Sequence, residues 1–171
     1  MELKEKIRLN LNSALKEKRT LEVLVLRQLL AAILNKEKEK RFKAKEEKDI
    51  QLTDEEVIEV ISSEAKKRRE SIVEFEKGKR QDLVEKEKKE LEILEKYLPE
   101  QLPEEEIRKL IKEAIEKTDA KEIKDYNPST TRQGKNIYGK VMAELMPKIK
   151  GKADGTLVSK IVKEFLTFKN E

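Results

Sequence analysis

GKVMAELMPKIKGKADGTLVSKIV, from Gly139 to Val162, reads as a helix, a tight basic turn and a second helix. In the first, Val141, Met142 and Leu145 recur at helical spacing, Met142 and Met146 are expected in a core, and Pro147 is expected to end the helix. In the second, Leu157, Val158, Ile161, Val162 and Phe165 form one apolar stripe, entered through Asp154 as a cap. Between them Lys148, Lys150 and Lys152 alternate through the turn, where Gly151 and Gly155 are expected to let the backbone reverse sharply; Gly139 opens the stretch. Thr156, Ser159, Lys160 and Lys163 project away from the stripe. With Lys140 and the three turn lysines they are candidate contacts for phosphate oxygens, weighed against an ordinary solvated face.

Upstream, Leu98-Pro99-Glu100-Gln101-Leu102-Pro103 places two prolines in five positions and predicts a domain boundary. The expected architecture is all-α: a four-helix unit over residues 1–99 and a three-helix unit over 100–171. In the first unit, residues 3–18 form an amphipathic helix. Thr20 is expected to cap the next, about 21–42, whose first half is apolar almost all round and belongs in the middle of a bundle. Its end, Lys36 to Lys45, is so charged that it is expected to fray into a loop. Thr53-Asp54-Glu55-Glu56 is a capping box that opens a helix to about Lys77, and another helix runs from about Arg80 to Tyr97.

The short link at Gly78 makes those two helices antiparallel neighbours. Arg68 and Glu87 each stand where an apolar residue is due, and folding about Gly78 brings them together. They are expected to pair and fix the register, since a half-buried charge without a partner costs several kcal/mol. In the second unit a helix over 104–117 carries Ile107, Leu110, Ile111, Ala114 and Ile115 inward. Asp119 to Asn136 then reads as a polar loop.

Composition narrows the chemistry. The 171 residues are 36% apolar, 44% charged and 4% aromatic, with no Trp, which suits bundles with wet outer faces and gives few platforms for base stacking. With neither Cys nor His, thiolate and imidazole catalysis and Cys- or His-ligated metal sites are excluded; no metal and no cofactor is expected. The longest apolar tract, Leu21 to Leu34, contains Glu22, Arg27 and Gln28 and falls short of a membrane span of roughly 18 to 20 residues. No positively charged leader is evident, so a cytoplasmic protein is expected. The net charge of +4 is uneven: Arg132 to Lys163 holds eight basic residues against Glu144 and Asp154, whereas Glu100 to Thr131 is net acidic.

The Gly139–Val162 stretch resembles the signature of the GatB/YqeY family. Lys66 to Ile107 (KKRRESIVEFEKGKRQDLVEKEKKELEILEKYLPEQLPEEEI) resembles its free-standing YqeY-like members more closely still. Here the polar segment before the signature helix is longer than in the family pattern, and Ala143 and Lys152 stand where that pattern has Gly and Arg. Lysine keeps the charge but loses the planar fork that holds phosphate bidentately. The resemblance implies kinship with the tRNA-contacting tail of the B subunit of tRNA-dependent amidotransferases, and hence a non-catalytic tRNA-binding module. A protein adaptor in translation or amidotransferase complexes is the alternative. Carbon–nitrogen ligase activity with glutamine as amido donor is third, because neither a phosphate loop nor a metal-ligand cluster appears in the sequence.

Overall fold

In the computed structural model the described residues are 2–45, 50–118 and 132–167, the side chains of 132–136 and 167 excepted. They form seven α-helices and no strands: α1 (Leu3–Lys16), α2 (Thr20–Ala44), α3 (Asp54–Lys77), α4 (Gln81–Glu95), α5 (Glu104–Lys117), α6 (Arg132–Ile149) and α7 (Gly155–Thr167). The chain divides into two compact units, Met1–Pro99 and Glu100–Glu171.

In the first unit α1 packs on α2, α3 packs along α4, and α2 touches both. The core gathers Ile7, Val25, Leu26, Leu29, Ile33, Val57, Ile61, Ala65, Leu94 and Tyr97. Thr53 caps α3 as expected: its hydroxyl accepts from the Glu56 N–H at 3.3 Å while the Glu56 carboxylate accepts from the Thr53 N–H at 2.8 Å.

Several expectations for this unit need correction. Thr20 is not a cap; it lies inside α2, because the Arg19 carbonyl already accepts from the Val23 N–H. The apolar surround of α2 is not fully covered, for Leu24 and Leu34 stand exposed. The charged end of α2 stays helical to Ala44. Glu39 is bridged by Lys36 at 2.9 Å and Lys43 at 2.5 Å, and such pairs one turn apart support a helix. Glu37 in the same run is buried, 2.5 Å from Lys4 Nζ and 3.3 Å from the Leu52 N–H, so one carboxylate ties α1, α2 and the entry to α3.

At the α3–α4 turn Gly78 has an ordinary φ of −76°. The left-handed position falls on Lys79, at φ 54°. Arg80 N–H reaches the Phe75 carbonyl at 2.9 Å and Lys79 N–H the Glu76 carbonyl at 3.1 Å, the bond pair that closes a helix by a left-handed residue. Across this hairpin Arg68 Nε lies 3.5 Å from Glu87 Oε2 and closer, at 2.9 Å, to Glu90 Oε2. Its N–H points squarely at neither oxygen, while another guanidinium nitrogen donates to Gln28 Oε1 at 2.7 Å.

In the second unit Ile107, Ile111, Ala114 and Ile115 of α5 meet Val141, Leu145 and Ile149 of α6 and Val158, Ile161, Val162 and Leu166 of α7. Pro147 does not stop α6; it sits in the last turn, two residues before the end. Its φ suits a helix and its missing N–H removes a single bond, while the Lys150 N–H still reaches the Met146 carbonyl at 3.0 Å. Met146 is exposed rather than core, being rotated off the Leu145 face, and Met142 is half-buried. Residues 132–136, expected in a loop, form the first turn and a half of α6, since extending an existing helix costs far less than nucleating one. The rest of that expected loop, 119–131, lies outside the described residues.

Candidate nucleic-acid interface

The basic turn between α6 and α7 is built by backbone hydrogen bonds. Gly151 takes φ 74°, a left-handed conformation that costs glycine little. The Lys152 and Ala153 N–H groups then return to the Ile149 carbonyl at 2.9 and 3.1 Å. The strand of chain entering α5 pins the outside of the turn: the Leu102 N–H donates to the Lys152 carbonyl at 2.7 Å and the Gln101 side-chain amide donates to the Gly151 carbonyl at 2.8 Å. Sequence reasoning missed Gln101 and Leu102 as supports. The sequence marks this segment only as a proline-flanked boundary and gives no sign that it folds back on a turn fifty residues away.

Asp154 begins α7 as a cap. Its Oδ1 accepts from the Thr156 N–H at 2.7 Å and the Leu157 N–H at 3.2 Å, so the positive end of α7 already holds an anion from its own chain. Gly155 is the first residue of α7 and Gly139 lies inside α6; both have open space where a Cβ would stand, so neither is needed for a close approach.

The candidate cations fall into three groups. Lys148, Lys150 and Lys152 belong to the turn, with Lys152 exposed and the other two half-buried. Lys148 Nζ lies 3.9 Å from Glu144 Oε1, which also faces Lys117 Nζ at 3.3 Å, so part of its charge is spent locally. Thr156, Lys160 and Lys163 share the outer face of α7, opposite the Val158, Ile161, Val162 stripe, and all three are exposed. Lys163 Nζ stands 6.0 Å from the centre of the Tyr138 ring. Lys140 is apart, eight residues before Lys148 and so about 12 Å back along α6.

Ser159 differs from its neighbours. It is half-buried and accepts a hydrogen bond from the Tyr138 hydroxyl at 2.9 Å, which joins α6 to α7. Among the described residues Lys140, Lys152 and Lys160 have no carboxylate within ion-pair distance, and no group of acidic side chains is arranged to hold a metal. No described helix is long and apolar enough to cross a membrane.

Two comparisons bear on this arrangement. A curated protein of Pyrenophora tritici-repentis (strain Pt-1C-BFP), "Altered inheritance of mitochondria protein 41, mitochondrial", is 36% identical over 115 residues, covering 66% of this chain and 56% of the relative. The chain thus spans little more than half the length of that relative, whose name states no activity. A family model described as "Yqey-like protein" matches residues 4–166, taking in both helical units and the whole basic turn, and the chain therefore belongs to the YqeY-like family.

Proposed function

We propose that this chain is a non-catalytic RNA-binding helical module whose C-terminal unit docks on structured RNA such as tRNA. The supporting observation is the exposure of two ammonium groups, Lys152 in the turn and Lys160 on the outer face of α7. Both are without an acidic partner among the described residues, and Lys160 shares its face of α7 with Lys163 and the Thr156 hydroxyl. Ammonium and hydroxyl donors arranged so fit phosphate oxygens and carry no base readout, which is how a duplex or folded RNA is recognised by shape and charge. A cytoplasmic location is kept as part of this proposal; "mitochondrial" is said of the relative.

Titration of the full chain with tRNA tests it. A saturable shift is expected whose affinity falls steeply with salt. Lys152→Glu with Lys160→Glu should weaken binding about tenfold or more and flatten the salt slope by about two charges. These two are chosen over Lys148 because Glu144 already faces that ammonium. Absence of a saturable shift at low salt defeats the proposal. A second reading, a protein adaptor, draws support from Leu24 and Leu34, which α2 leaves exposed. A nuclease-resistant complex with a translation or amidotransferase protein, lost in Leu24→Asp with Leu34→Asp, would favour it.

A further inference from the structure

The charged run that closes α2 holds a phenylalanine in water. Phe42 is 85% exposed and takes no part in the N-terminal core, whereas Tyr97 of the same unit is buried in it. Leaving so large an apolar side chain exposed forgoes the stabilisation that burial gives elsewhere in the fold. The acids of the run are already engaged: Glu37 is buried against Lys4 and the Leu52 N–H, and Glu39 is bridged by Lys36 and Lys43. Among the described residues Lys38 and Lys45 have no acidic partner. Lys38 stands one turn, about 6 Å along the axis, before Phe42 on the same side of α2, and Lys45 follows the end of α2 as its left-handed cap, three residues after Phe42. Lys38, Glu39, Arg41, Phe42 and Lys45 line one depression of about 630 Å³.

A lone aromatic ring bracketed by ammonium groups matches one kind of partner better than others. A partner helix seated on this face would want a row of apolar anchors one turn apart, yet the next exposed apolar side chain of comparable size, Leu34, is eight residues back. A single-stranded nucleic acid needs one flat face for a base and cations on either side for its backbone. We propose that Lys38, Phe42 and Lys45 form a single-stranded nucleic-acid contact, with one base stacked on Phe42 and the adjoining phosphates on the two ammonium groups. This contact is independent of the C-terminal reading and reads a different feature: an unstacked base instead of a folded surface.

The experiment is fluorescence anisotropy of the full chain with a labelled riboadenylate of about twelve nucleotides at low salt. Phe42→Ala should weaken binding about tenfold, and Phe42→Leu should weaken it as much, because leucine restores apolar bulk but no π-face. Phe42→Tyr should stay within about twofold, since the ring remains. Lys38→Gln with Lys45→Gln should lower the salt slope by roughly 1.4, the single-strand value for two charges. All these positions are exposed, so folding is preserved, and unchanged melting curves establish that. No saturable binding, or Phe42→Leu binding as tightly as the wild type, overturns the proposal. Tighter binding to phosphatidylserine vesicles that Phe42→Ala abolishes would assign the face to a lipid surface and also overturn it. Lys152→Glu with Lys160→Glu separates the two sites: loss of tRNA binding with the Phe42-dependent oligonucleotide binding intact leaves this contact standing alone, and the converse leaves only the C-terminal one.

Discussion

In the N-terminal unit two glutamates, Glu37 and Glu90, are buried among the helices and reach cations on α1 and α3, whereas every buried side chain described in the C-terminal unit is apolar. The first unit thus turns charge inward, where it selects the register of long, gently patterned helices; the second closes on an apolar core and leaves its lysines on the surface. The contrast follows from the patterns. On α3 and α4 the apolar stripe is interrupted at Arg68, Glu87 and Glu90, and sliding the hairpin by one turn would bury these groups unpaired. On α5 and α7 the stripe runs without interruption, so packing alone specifies the arrangement.

The largest effect should come from the apolar side. Leu145→Ala removes a fully buried side chain from a core with nothing polar to repack, and should cost about 4 kcal/mol in urea unfolding. Arg68→Ala should cost about 3 kcal/mol by leaving Glu90 buried without its guanidinium. In a double-mutant cycle Arg68→Ala with Glu90→Ala should lose less than the sum of the single changes, with a coupling of about 1 kcal/mol or more. Additivity there would mean that the buried charges do not set the register.

Asp154→Ala asks whether the C-terminal unit depends on any polar group for folding. A loss of about 1 kcal/mol in a thermal melt, with tRNA affinity unchanged or improved, is expected, because the cap is a local support and its charge opposes a polyanion. Lys79→Gly should stabilise the N-terminal unit by about 0.5 to 1 kcal/mol, since lysine there holds a left-handed conformation at φ 54° that glycine adopts freely.

The smallest effect is a pH dependence confined to the N-terminal unit. The Lys40 ammonium, and then the Thr53 N–H, hold the Glu56 carboxyl below its ordinary value of 4.5. The unfolded carboxylate therefore takes up a proton first as the solution is acidified. Stability from this group is complete above 4.5 and is lost as pH falls from there through the lowered folded value. Denaturation midpoints measured across that range should slope less in Glu56→Gln. An unchanged slope would show that the capping box contributes nothing to acid sensitivity.

The all-helical class, the capping box at Thr53, the Asp154 cap and the helix of Glu104–Lys117 were legible because each is a local pattern, a periodicity or a cap, that involves residues a few positions apart. Misreadings cluster where a local rule met a neighbour: Thr20 was passed over as a cap, Pro147 was absorbed into α6, and the Lys36–Lys45 run was kept helical by its own ion pairs. Glu90 and Glu37 as buried charges, the bracing of the basic turn by Gln101 and Leu102, the engagement of Ser159 with Tyr138 and the exposure of Phe42 could come only from the tertiary structure. The physical reason is range. Helix formation and capping are decided within about two turns of chain, while burial and partnership depend on which distant segment fills the space opposite, and a single chain's order of residues does not encode that distance directly.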